Sequence, residues 1–199
     1  MTLPMLHEAG MKVINKCPSV RHSLKAQASG WAAVSIDGFE CGHHPGEDDI
    51  PNFILLPRAA DELKISFVAN GRSPVAALVL CAEGINMGTR FFATKEAPVH
   101  QNAKDAIVAA SELDARMVMR SLRNTELVLK NAAVDGLLVK KKALGANLKF
   151  DDIIEEVAGV YPKIMLDSAR DAGAWSCGMV AGLIHDIPTV QALVDRIMA

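Results

Sequence analysis

The stretch 32–69 reads AAVSIDGFECGHHPGEDDIPNFILLPRAADELKISFVA. It opens on one apolar run, AAVSID (32–37), and closes on another, KISFVA (64–69). Between them lie a polar loop and a segment of helical spacing, PNFILLPRAADEL, with Pro51 at its start. Two strands joined through a helix run parallel, because a crossover of a dozen or more residues is what a parallel pair requires.

The same unit recurs on both sides. MKVINKC (11–17) is a short run rich in β-branched residues, and SVRHSLKAQASG then has helical spacing and ends at Gly30 as a C-cap. PVAALVLCA is an apolar helix, and EGINMG (83–88) a fourth strand closed by TRF. Strand, loop, helix, strand, four times over, predicts a parallel sheet with crossover helices. Near-continuous apolar strands suit a sheet covered on its faces. The units are about 20 to 30 residues long, which favours a barrel-type βα repeat. No G-x-G-x-x-G follows any strand, so a dinucleotide-binding sheet has no specific support.

From Lys95 onward the pattern changes. VHQNAKDAIVAASELDARMVM, TELVLKNAAVDGLLVKKKALG and FDDIIEEVAGVY read as mainly helical, with Asp151 or Asp152 capping the third. DAGAWSCGMVAGLI is rich in small residues and reads as a loop entering a close-packed helix. DIPTVQALVDRIMA reads as a terminal amphipathic helix with Ile187, Val190, Leu193, Val194 and Ile197 on one stripe. The expected organisation is a barrel-like part at 1–94, a helical subdomain at 95–165, and a loop with C-terminal helix at 166–199 that packs back on the barrel.

The 199 residues are half hydrophobic with a net charge of −2, which argues against disorder and gives no basic surplus for nucleic acid. The Lys140–Lys141–Lys142 run is expected to be a solvated face. No apolar run reaches the roughly 20 residues of a membrane span. MTLPMLHEAG lacks the pattern of a signal peptide. Four dispersed cysteines without a CxxC pair suit a reducing cytoplasm. Three read as packing residues; Cys41 lies near the loop.

That loop, SIDGFECGHHPGEDD, follows a strand, where parallel α/β folds carry their sites. A histidine there suits general-base chemistry. His43, His44, Glu47, Asp48 and Asp49 have metal-ligand chemistry, but adjacent histidines on an extended chain point apart and no H-x-x-x-H is present. The loop is equally readable as structural, with Asp48 and Asp49 capping the next helix. NMGTRF, after the fourth strand, ends a strand or holds a phosphate on backbone amides, with Arg90 adding charge.

Taken together, VSIDGFECGHHPGEDDIPNFILLPRAADELK, AEGINMGTRFFATKEAPVH, RNTELVLKNAAVDGLL and DIIEEVAGVYPKIMLDSARDAGAWSCGMVAGLIHDIPTVQALVDRIM resemble the nitronate monooxygenase (2-nitropropane dioxygenase) family. The resemblance covers nearly the whole chain. The GFEC…HPGEDD form is similar to a branch that includes FMN-dependent NADH:quinone reductases. The resemblance implies an α/β fold, a TIM-type (β/α)8 barrel with a small helical part, carrying FMN at its C-terminal rim. This chain would hold about four of the βα units. The implied reaction is oxidation of alkyl nitronates or nitroalkanes with oxygen. NAD(P)H:quinone reduction is the alternative, and a remnant that binds no flavin is a third. The family's base falls on His44. Gly42, His43, Gly46 and Glu47 would line the flavin, and Asn70, Gly71, Met87, Gly88 and Thr89 would hold its phosphate. GAWSCG (173–178) matches a segment near the site mouth. No metal is implied.

Three departures stand out. His43 occupies a position where the family has glycine, and glycine beside a cofactor usually means close approach or positive φ. The family's Gly-Gly loop is reduced here to Asn70, Gly71 and Arg72. The strands match the last four of eight, so the resemblance leads to the expectation of a half barrel without its amino-terminal units, and a homo-oligomer is expected to cover the open edges.

Overall fold

The computed structural model describes residues 2–71, 73–167 and 171–199. The chain divides into two compact units, one of residues up to 40 and 48–87, the other of 41–47 and 88–199.

The first unit holds a four-stranded parallel sheet in the order β1 (Ile14–Cys17), β2 (Ala33–Ile36), β3 (Ser66–Asn70), β4 (Gly84–Asn86). It begins with a short helix α1 (Leu3–Glu8); α2 (Val20–Ala28), α3 (Asn52–Glu62) and α4 (Pro74–Val79) are the crossovers. Sequential parallel order with a helix after each strand is a partial (β/α) barrel arrangement, as the sequence predicts. Ser19 caps α2 by accepting from the His22 amide at 3.3 Å, and Gly30 at φ +85 turns the chain after it. The cap of α3 differs from expectation. Glu40, not Asp48 or Asp49, accepts from the first helical amide, Asn52, at 3.0 and 3.1 Å.

One face of the sheet is apolar. Cys17, Val34, Ile36, Phe67 and Ala69 pack with Ala26, Leu55, Leu56, Ala59 and Ala77 of the helices. Burying each large side chain there contributes about 1.5–3 kcal/mol. The other face is polar toward its C-terminal end. Lys16 pairs with the fully buried Asp37 at 2.9 Å, and Asn86 Nδ2 donates to Ser35 Oγ at 3.3 Å. Period 2 separates the two faces.

The second unit contains α5 (Thr89–Phe92), α6 (Gln101–Val108), β5 (Ala115–Val118), β6 (Glu126–Leu129), α7 (Ala132–Leu144), α8 (Ile154–Val157), α9 (Tyr161–Met165) and α10 (Val190–Met198), with short 3-10 turns between. The expectation of a mainly helical region is corrected here. DARMVM and ELVL form an antiparallel pair, Ala115↔Leu129 to Val118↔Glu126. All four residues of β6 are buried, so no alternation marks the strand in the sequence. FDDIIEEVAGVY yields a 3-10 turn and one helical turn, with Asp152 accepting from the Lys149 amide at 2.8 Å. DAGAWSCGMVAGLI enters a helix as expected, and that helix is a 3-10 helix, Met179–Leu183.

Candidate active site

The loop 41–47 leaves the first unit's βα connection and is built into the second unit. It attaches to β6. The His43 amide donates to the Leu127 carbonyl at 3.3 Å, and the Leu127 amide donates to the His43 carbonyl at 2.7 Å. Residues 174–177 lie along β6 as well. The Leu129 amide donates to the Trp175 carbonyl at 3.1 Å, and the Cys177 amide to the Leu127 carbonyl at 3.1 Å. A strand whose four side chains are buried thus carries the histidine loop and the GAWSCG segment.

Gly42 is fixed by close approach. A Cβ on it would stand 2.6 Å from the Gly178 nitrogen. Gly178 in turn donates its amide to Thr89 Oγ1 at 3.1 Å. Gly42, His43, His44, Glu47 and Thr89 are therefore drawn together through residues 125–127 and 177–178. Gly46, half-buried, completes the loop, and Gly88 precedes the first turn of α5. Asn70, Gly71 and Met87 belong to the first unit, at the ends of β3 and β4. The expectation for Arg72 lies outside the described residues.

The two histidines have opposite proton positions. His44 Nδ1 lies 2.9 Å from the Thr125 carbonyl oxygen. A carbonyl only accepts, so Nδ1 carries the proton and Nε2 of the neutral ring keeps its lone pair. His43 is the reverse. Its Nδ1 accepts the His44 amide at 3.0 Å, so its neutral ring is protonated at Nε2. The rings meet edge-on at 4.3 Å between centroids. His43 has φ +73, the left-handed region that glycine favours. The sequence expectation of a glycine-like backbone at 43 is met by the conformation, with a side chain added.

Glu47 holds Thr125 at two points. Its carboxylate accepts the Thr125 amide at 2.9 Å and the Thr125 hydroxyl at 2.7 Å, with Arg120 Nε 3.9 Å away. Sequence reasoning did not single out Thr125. Its only signal is a polar residue two positions before an apolar run. Arg90, expected to reach a phosphate, is 4% exposed and donates instead to Asp186, at 2.9 Å to Oδ1 and 3.1 Å to the carbonyl.

A second polar cluster was also missed. Tyr161 Oη donates to Glu126 Oε1 at 3.2 Å and lies 2.6 Å from Ser176 Oγ, whose hydroxyl bonds the same carboxylate at 2.5 Å. Burial, then the neighbouring Glu126, push the Tyr161 phenol up against the opposing Ser176 bonds. The cluster ties residue 176 to β6 beside Thr125. Cys177 is fully buried, and burial pushes its thiol up to about 12, so it is a packing residue. Cys17 and Cys41 are buried too, and Cys81 is the exposed one. Among the described residues no group of three or more His, Cys, Asp or Glu has metal-binding geometry, and no helix is long and apolar enough to cross a membrane.

For a flavin mononucleotide, the donors differ at the two glycines. The first amides of a helix lack intrahelical acceptors, and a Cβ on Gly88 would meet nothing within 4 Å. The start of α5 thus has room and donors for a phosphate. The Gly71 amide is engaged with the Asn86 carbonyl at 3.1 Å. Of the residues expected to hold the phosphate, Gly88 and Thr89 would fit it, whereas the Gly71 amide is already engaged.

A sequential parallel βα sheet, and a loop histidine presenting an open acceptor nitrogen, define an α/β protein of barrel type. The chain belongs to the nitronate monooxygenase family, which it matches over residues 1–199. It is 29% identical to a (3aS,4S,5R,7aS)-5-hydroxy-7a-methyl-1-oxo-octahydro-1H-indene-4-carboxyl-CoA dehydrogenase of Rhodococcus jostii, covering 98% of this chain and 65% of that one. It is 30% identical to a probable nitronate monooxygenase of Staphylococcus aureus, over 55% of this chain and 34% of that one. The structure of FabK from Thermotoga maritima superposes with a TM-score of 0.89 at 27% identity, covering 98% of this chain and 62% of that one. The chain thus spans less than two thirds of the length of these relatives, and two of the three carry oxidoreductase names.

Proposed function

We propose that this chain is an FMN-dependent oxidoreductase that oxidises alkyl nitronates or nitroalkanes, with His44 as the base. The observation that carries the reading is the His44 Nδ1–Thr125 carbonyl bond at 2.9 Å, which leaves Nε2 as a lone-pair acceptor. Gly88 and Thr89 would hold the FMN phosphate at the start of α5. Bound FMN would supply the two-electron redox chemistry that protein side chains lack. His44 takes the proton from the carbon next to the nitro group, and the resulting imidazolium keeps Nδ1–H on the Thr125 carbonyl. His43 contributes an N–H donor rather than a second base, because its Nδ1 lone pair is occupied.

A second substrate class has its own support. The similarity to the Rhodococcus CoA-ester dehydrogenase runs over 98% of the chain, against 55% for the Staphylococcus relative. A thioester carbonyl acidifies its neighbouring C–H as a nitro group does, so the same histidine would serve. The test is a visible spectrum of the purified full chain before and after adding FMN and removing the excess. Oxygen uptake with a neutral nitroalkane and acceptor reduction with an acyl-CoA ester follow. Retained flavin bands and nitroalkane turnover that His44→Asn abolishes are expected. Turnover of the acyl-CoA ester alone moves the assignment to the second class. A colourless protein that cannot be reconstituted overturns both.

A further inference from the structure

We propose that Glu47 and Thr125 are positioning residues that set which ring nitrogen of His44 carries the proton. The inference rests on His44 being the base of the proposed function, but its readout does not require turnover. Thr125 is 1% exposed and has three polar groups. Its amide and hydroxyl both donate to the Glu47 carboxylate, one to each oxygen, at 2.9 and 2.7 Å. Its third group, the carbonyl, takes the His44 Nδ1 proton at 2.9 Å. Glu47 is three residues beyond His44, so one short loop grips one residue from both sides. Contact with Thr125 spans 78 and 81 residues of sequence.

A loop that needed only anchoring already has an anchor. His43 exchanges both backbone hydrogen bonds with Leu127. The Glu47 grip adds something different: it fixes the rotation of residue 125, and with it the direction of the carbonyl that His44 meets. A free neutral imidazole prefers its proton on Nε2, which would remove the acceptor facing away from Thr125. Holding the Thr125 carbonyl against Nδ1 reverses that preference. The charged carboxylate makes the grip stronger than a neutral acceptor would.

The test reads the tautomer directly. Long-range proton–nitrogen NMR is recorded on the 15N-labelled full chain near about pH 8, where unperturbed imidazoles are neutral. His44 is assigned by the signal lost in His44→Gln. The expected wild-type pattern has the proton on Nδ1. Glu47→Ala and Thr125→Val shift His44 toward the Nε2–H form, whereas Thr125→Ser, which keeps the hydroxyl, retains Nδ1–H. In turnover the first two lose kcat by about tenfold or more with KM little changed, the size of part of a general-base effect. Wild-type His44 with its proton on Nε2 overturns the proposal. So does an unchanged tautomer in both Glu47→Ala and Thr125→Val. A shifted tautomer in a chain that turns over neither nitroalkanes nor acyl-CoA esters supports the positioning role and overturns only the functional reading.

Discussion

The parallel sheet β1–β4 and the strand β6 solve the same burial problem with opposite kinds of contact. In the sheet each strand pairs with the next one in the chain, and each helix covers the strands that flank it. β6 pairs with β5 on one edge and, on the other, with residue 43, more than eighty positions earlier, and with residues 175–177, nearly fifty later. The sheet is local and repetitive. The β6 region is assembled from remote pieces, and the candidate base is among them. Neighbouring contacts can loosen singly, but remote ones share one strand.

The sharpest way to break that comparison is activity. His44→Asn should lower nitroalkane turnover about 10²- to 10⁴-fold, the usual worth of a general base, with the folding transition unchanged. Loss of flavin in parallel would show that the residue acts on binding instead. Next comes the strand itself. Leu127 is 1% exposed at the junction of three segments, so Leu127→Ala should cost about 2–5 kcal/mol by denaturant unfolding. A cost near zero would mean that β6 does not organise the region.

Two glycines sharpen the contrast further. Gly42→Ala pushes a Cβ to 2.6 Å from the Gly178 nitrogen and should cost about 1–3 kcal/mol. Gly84→Ala in β4 meets only a Val68 methyl at 3.4 Å and should stay within about 0.5 kcal/mol, or stabilise. Equal effects would erase the difference between the regions. His43→Gly should change stability by less than about 1 kcal/mol, since relief at φ +73 is offset by glycine's greater chain entropy.

The smallest effect concerns acid. The Ser111 amide and hydroxyl bonds hold the Asp114 carboxyl below the usual carboxylate range. Its contribution is therefore present above the ordinary aspartate value, about 3.9, and lost as pH falls through the lower folded one. Melting temperature followed from pH 6 to 2 should fall below about pH 4, and less steeply in Asp114→Asn. Parallel curves for the two proteins would refute the assignment.

What the sequence determined by itself was the repeating half of the molecule. Apolar runs at 11–17, 32–37, 64–69 and 83–88, with helical spacing between them, fix a sequential parallel sheet because each unit's contacts are near in the chain. The histidine loop was also legible, as a polar run after a strand, and its resemblance to a known family singled out His44. The tertiary structure decided the rest. ELVL gives no strand signal, because a strand buried on both faces loses the alternation that would reveal it. Glu40 displaced the two aspartates as the cap of α3, since a carboxylate twelve residues away reaches the Asn52 amide. Nor can residue type say which of two adjacent imidazoles keeps its acceptor nitrogen open. That depends on where the proton sits, and a carbonyl at position 125 and an amide at position 44 place it.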